Sequence, residues 1–202
     1  MKNKILKIGI SGIIGSGKSE AIKFFKWKKF PSYDLDEVSK KIMQPGESCY
    51  KKIIKTFGDK ILDKNKKINR EEFRKIIFND DNKRLKLNSI VHPELLKKVK
   101  EFSKIMNSKK KRLIFFEGAL INKKTKIGDF LDYIILIKCT KKNIIKRVKD
   151  RDHVHFNEIN TIFNIQNEIH KKKDMYDFVV TNNEKIDVFR TKLNSILEKI
   201  SH

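Results

Sequence analysis

Apolar residues follow two rhythms along this chain. Short, nearly unbroken runs occur at Ile5-Leu6-Lys7-Ile8-Gly9-Ile10, Leu113-Ile114-Phe115-Phe116, Tyr133 to Ile137 and Phe178-Val179-Val180. Runs of this length between polar segments read as buried strands. A shorter candidate strand, Lys29 to Asp36, follows the first helix. Between the runs, apolar residues recur at helical spacing. Ala21, Ile22, Phe24 and Phe25 form one stripe, and Val38, Ile42 and Met43 another. Ile53, Ile54 and Phe57 follow, closed by Gly58; Asn69-Arg70-Glu71-Glu72 is a capping-box-like start before Phe73, Ile76, Ile77 and Phe78. Leu85, Leu87 and Ile90 precede His92-Pro93, which is expected to end that helix before Leu95, Leu96, Val99 and Phe102 begin the next. A last amphipathic helix spans Val188 to Ile200. Strands separated by helices pair in parallel by right-handed crossovers. The pattern therefore predicts an α/β fold with a parallel five-stranded sheet between helical layers. The chain reads as one domain, 1–202, with a helical insertion at about 47–111.

Composition changes this picture little. The formal net charge is +23, which raises nucleic-acid binding as a possibility. But the cations are 41 Lys against 7 Arg, spread along the whole chain, and Lys, Ile, Asn and Phe are abundant together. These residues share A+T-rich codons, so genome composition accounts for the charge without nucleic acid as a partner. No apolar run approaches the roughly 20 residues of a membrane helix. Met1-Lys2-Asn3-Lys4 leads at once into the first strand and does not resemble a cleavable signal. Cys49 and Cys139 supply neither a disulfide framework nor metal spacing, so a reducing cytoplasm is the expected compartment. The chain is expected to act as a monomer.

The chemistry is concentrated in Gly12-Ile13-Ile14-Gly15-Ser16-Gly17-Lys18-Ser19, which fits the phosphate-binding pattern G-x-x-x-x-G-K-[ST] between a strand and a helix. Glycines at 12, 15 and 17 allow positive φ and close approach of a ligand. The loop amides form an anion nest, reinforced by the helix N-terminus. Lys18 is expected at the outer phosphates and Ser19 at Mg²⁺. Asp34 and Asp36 lie at the end of the second candidate strand, spaced i, i+2, and suit metal binding, proton abstraction or helix capping. Glu117 ends a buried run and suits either water-mediated Mg²⁺ binding or a cap. Arg147 and Arg151 share a helical face at i, i+4, where guanidinium groups suit phosphate clamping or surface ion pairs with Asp150 or Asp152.

Together these segments resemble the dephospho-coenzyme A kinase family over nearly the whole chain. The resemblance rests on the loop with Ser11 before it, Asp34-Leu35-Asp36 and Pro45-Gly46. It continues through Phe57-Gly58, Arg70, Phe78 and His92-Pro93, then Arg147, Arg151 and Asp152, and closes on Gln166, Asp177, Val180 and Asn182. It implies a three-layer P-loop kinase with a helical substrate-binding insertion and a lid at about 141–172. It implies ATP, Mg²⁺ and dephospho-CoA as reactants, with phosphorylation of the ribose 3′-hydroxyl. Gly12, Gly15, Ser16, Gly17, Lys18, Ser19 and Glu20 would bind ATP. Asp36, Lys18, Arg147 and Arg151 would be catalytic, and Asp34, Lys40, Arg70 and His92 would contact substrate. Ser19 would ligate Mg²⁺, with Asp34 or Glu117 acting through water. Three departures stand out. Glu20 replaces the usual Thr, Lys40 replaces the usual Arg, and Glu117-Gly118-Ala119-Leu120-Ile121 replaces P-L-L-F-E. The alternatives are another nucleoside or nucleotide kinase, or a basic nucleic-acid-binding protein with a non-catalytic loop. A GTPase switch is disfavoured, since no [NT]-K-x-D motif occurs.

Overall fold

A computed structural model describes residues 5–78, 80–152 and 156–201. Residues 153–155 of the expected lid lie outside the described residues, as do the side chains of Phe78 and Asp152. In chain order the elements are β1 (Leu6–Gly12), α1 (Lys18–Trp27), β2 (Ser32–Asp34), α2 (Leu35–Ile42), α3 (Tyr50–Phe57), α4 (Arg70–Phe78) and α5 (Asp81–Ser108). They continue with β3 (Leu113–Glu117), α6 (Lys126–Phe130), β4 (Tyr133–Lys138), α7 (Lys141–Asp152), α8 (Phe156–His170), β5 (Phe178–Thr181) and α9 (Ile186–Ser201). Contacts divide the chain into two compact units: Met1–Asp34 with Ser103–His202, and Leu35–Phe102.

The first unit carries a five-stranded sheet in the order β2-β3-β1-β4-β5, with every pair parallel. The apolar runs become strands because both faces of a parallel sheet are covered, so no polar alternation is needed. Ile8, Ile10, Phe115, Ile135 and Ile137 are almost fully buried, packed with Phe25 of α1 and Phe189 and Leu193 of α9. Phe25 and Phe115 stack with centroids 3.9 Å apart. A separate cluster joins Ile13 of the phosphate loop to Ile144 and Val148 of α7 and Ile159 of α8. The loop leaves the carboxyl end of central strand β1, where the direction of strand order reverses, the usual ligand crevice of open α/β sheets.

The second unit is helical. Gly58 closes α3 at φ +78° and its N–H reaches Ile54 O. Asn69 Oδ1 accepts from the amides of Glu71 and Glu72 at 3.2 and 3.3 Å, capping α4 as its sequence suggests. Two expectations are corrected. His92-Pro93 does not break a helix: α5 runs through Pro93. A proline inside a helix costs about 3 kcal/mol. Val91, Leu95 and Val99 recur every four residues and are all buried, and each contributes about 1.5–3 kcal/mol on burial. That stripe outweighs the missing hydrogen bond. Nor does the second strand reach Asp36. β2 ends at Asp34 and α2 starts at Leu35, so Asp36 lies in the first helical turn and does not share a strand face with Asp34. No helix among the described residues is long and apolar enough to cross a membrane.

Candidate active site

The loop geometry explains two of its glycines. Gly12 has φ +150°, and a Cβ there would lie 2.5 Å from Ile137 O and 2.7 Å from Ser16 Oγ. Gly17 has φ +112°, and a Cβ would lie 2.0 Å from Asn182 Nδ2. That amide donates to Ser16 O at 2.8 Å, so Asn182 occupies the space a side chain at 17 would need. Ser16 Oγ is buried without a hydrogen-bond partner among the described residues. A buried orphan hydroxyl is costly, of order 1–3 kcal/mol, unless a ligand satisfies it. Lys18 is buried, with Nζ 3.4 Å from Ile13 O, so its ammonium folds back over the loop.

Ser19, in the first turn of α1, donates its hydroxyl to Glu117 Oε1 at 3.0 Å. Asp34 and Glu117 are register partners on adjacent parallel strands, so the sheet places both acids at one edge position. One hydroxyl and two carboxylates at strand ends form a hard oxygen donor set. Among the described residues no group of three or more His, Cys, Asp or Glu could hold a metal. Any cation here would therefore keep several waters and take further oxygens from a bound phosphate, the habit of Mg²⁺.

Helices α7 and α8 both contact the loop. Arg147 of α7 donates Nη2 to Asn182 O at 3.1 Å and turns Nη1 toward Cys139 Sγ at 3.3 Å. The same Nη1 stands at the 3.5 Å limit from the carbonyls of Gly15 and Ser16. Arg151, one turn on, is exposed, so the two arginines share a face but not an environment. Gln166 of α8 accepts from Ile14 N at 2.8 Å. Asp177 accepts from Ile134 N and pairs with Lys123, which ties β5 to β4.

Glu20, whose charge would oppose a phosphate, is turned onto α9, where Arg190 Nη2 donates to it at 2.9 Å. In the second unit, Asp36 is exposed and Lys40 pairs with Glu37. Hydrogen bonding and charge from Lys40 hold the Glu37 carboxyl below its usual range, with help from Arg70 and Lys41. Arg70 opens α4 and is exposed. His92 is half-buried, and that burial lowers its pKa.

A buried polar cluster escaped the sequence reading. His170, the last residue of α8, places Nε2 2.8 Å from Ala119 O and Nδ1 2.6 Å from the Tyr176 hydroxyl. A carbonyl can only accept, so Nε2 carries the proton and Nδ1 accepts from Tyr176. Burial pushes His170 down to about 4, and the charges of Lys18 and Lys138 act the same way. Burial pushes Tyr176 up to about 12. Ser11, next to the loop, stands 3.5 Å from the same Ala119 O. The available signal was positional. Ile159, Phe163, Gln166 and His170 fall at i, i+4, i+7 and i+11, so the two polar residues continue the buried stripe of α8.

A phosphate loop at the carboxyl end of a central parallel strand, with its serine facing an acid on the next strand, defines a P-loop kinase. The dephospho-CoA kinase family model matches residues 6–187. The chain belongs to the dephospho-CoA kinase family. It is 32% identical over 196 residues to the dephospho-CoA kinase of Fusobacterium nucleatum, covering 97% of this chain and 99% of that one. It is 30% identical over 187 residues to that of Coxiella burnetii, covering 92% of each. The solved dephospho-CoA kinase from Campylobacter jejuni superposes with a TM-score of 0.67 at 26% identity, covering 96% of both chains.

Proposed function

We propose that this chain transfers the terminal phosphoryl group of ATP to the ribose 3′-hydroxyl of dephospho-CoA, giving CoA and ADP, the last step of coenzyme A biosynthesis. The observation that carries the reading is the family match over residues 6–187, standing on an intact phosphate loop. The loop amides and Lys18 hold the phosphates. Ser19 would hold Mg²⁺, with Asp34 or Glu117 acting through water, and the ion would supply charge neutralisation at the transferring group. Asp36 orients the 3′-hydroxyl and accepts its proton as the new O–P bond forms and the bond to the ADP oxygen breaks. Arg147 and Arg151 offset the charge spread over the phosphoryl oxygens. The region 141–172 acts as a lid that keeps water from competing as acceptor. The protein works as a monomer in the cytoplasm, consistent with its two free cysteines.

The second unit offers a place for the acceptor. A cavity of about 230 Å³ is lined by Lys40, Arg70 and Arg74 together with Met43, Phe73 and Leu87. Cations beside apolar side chains suit a molecule with an anionic diphosphate and a long, weakly polar arm. Arg70→Ala is expected to raise KM for dephospho-CoA about tenfold, the worth of one charge-assisted hydrogen bond. KM for ATP should stay unchanged in the same steady-state assay. An unchanged KM for dephospho-CoA removes Arg70 from the substrate site.

The Glu20–Arg190 pair yields a second expectation. Its partners are partly exposed, with side chains 28% and 47% accessible, so its worth is small. Arg190→Ala leaves the Glu20 carboxylate with only the longer Lys23 pair at 3.9 Å and should raise KM for ATP about two- to fivefold, within the 1 kcal/mol of an exposed pair. Adding Glu20→Thr should return KM to the wild-type value. A double variant no better than Arg190→Ala would show that Glu20 does not oppose the nucleotide.

A further inference from the structure

We propose that His170 is a positioning residue for phosphoryl transfer, holding the segment that carries Glu117 in register with the phosphate loop; the proposal rests on the kinase reading above. Gln166 and His170 are four residues apart and lie on one face of α8. Gln166 holds the phosphate loop through Ile14 N. His170 holds Ala119 O, two residues beyond Glu117. One helix face thus grips both strand-end segments that meet at the Ser19–Glu117 contact. Between His170 and Glu117 the backbone is tied once more, by Gly118 N to Ile10 O at 3.1 Å. Among the described contacts, Glu117 meets Ser19 directly, while Gly118 and Ala119 beyond it are tied to Ile10 O and to His170.

An apolar residue would fill the His170 site more cheaply, because burying polar groups costs free energy unless each is paired. Here each one is paired. Nε2 meets Ala119 O and Nδ1 meets Tyr176, and Ser11, at the head of the loop, stands 3.5 Å from the same Ala119 O. With a single proton arrangement, the cluster has one geometry. A rigid spacer between the phosphate loop and an acid at the metal end is what a preorganised site needs, since displacement by even 1 Å degrades phosphoryl transfer.

The test compares His170→Leu, which removes the donor, with His170→Gln, which keeps one at the Nε2 position. Two readouts are taken: kcat and KM with ATP and dephospho-CoA, and ADP affinity measured calorimetrically in EDTA and in Mg²⁺. His170→Leu is expected to lower kcat about tenfold with KM for ATP within about twofold, the worth of one lost hydrogen bond. The gain in ADP affinity from Mg²⁺ should shrink, while affinity in EDTA stays the same. His170→Gln should recover most of both. A His170→Leu variant with wild-type kcat and Mg²⁺ response overturns the proposal, as does a His170→Gln variant no better than Leu. Should His170→Leu fail to fold, Tyr176→Phe carries the test. It frees the imidazole to swap tautomer and should lower kcat about threefold; an unchanged kcat and Mg²⁺ response overturn the proposal. Absence of dephospho-CoA turnover in the wild type, with the Mg²⁺ response still lost in Leu and regained in Gln, refutes the kinase reading and leaves His170 its positioning role.

Discussion

Asp36→Asn is expected to slow turnover by about 10²–10⁴, the usual contribution of a positioned proton acceptor. Asparagine keeps the size and hydrogen-bonding reach of the side chain but cannot take the 3′-hydroxyl proton. Asp36 is exposed in the first turn of α2. Its replacement should therefore change stability by no more than about 0.5 kcal/mol. Nucleotide affinity should hold within about twofold, since the loop amides and Lys18 supply it through charge and hydrogen bonds. Steady-state kinetics with calorimetric ADP binding separates the two effects. Turnover near wild type would remove Asp36 from the mechanism, and Asp34 would be the acid to examine next.

Gly17→Ala should nearly abolish nucleotide binding. Its Cβ would lie 2.0 Å from Asn182 Nδ2, far inside contact distance, at φ +112°. Asn182 cannot step aside cheaply. It is buried, its amide serves Ser16 O, and its own carbonyl accepts from Arg147 and Cys139. The left-handed backbone costs alanine about 1–2 kcal/mol on its own. Forcing the neighbour costs about 1–3 kcal/mol more. Adding Asn182→Ala relieves the clash but not the backbone strain, so the double variant should recover affinity only in part. Calorimetric binding of ADP checks both variants. Wild-type affinity in Gly17→Ala would mean that the loop adopts another shape when nucleotide binds.

The parallel sheet was legible because strands covered on both faces must be almost wholly apolar, as at Leu113–Glu117. The phosphate loop was legible because its backbone demands glycine at fixed offsets. The second strand was overread. Tyr33, Leu35 and Val38 suit either an extended or a helical segment, and the helix wins at Leu35, which separates Asp34 from Asp36. Pro93 misled in the opposite direction, because a local breaker loses to a long buried stripe. Helix α8 was not read as a helix. It is rich in Asn, a poor helix former, and its buried face carries Gln and His where the pattern calls for aliphatics. The role of Arg147 as a brace on Asn182 depends on which carbonyls lie nearby, and no spacing in the sequence carries that. Glu20 looked like a defect in the loop until α9 supplied Arg190 from 170 residues away.

The most direct measurement is ADP release from ATP and Mg²⁺ with and without dephospho-CoA, with the acceptor product weighed by mass spectrometry. ADP release is expected to depend on dephospho-CoA and to yield a product heavier by one phosphoryl group, identical to CoA. Turnover with a nucleoside or nucleotide and none with dephospho-CoA would contradict this expectation.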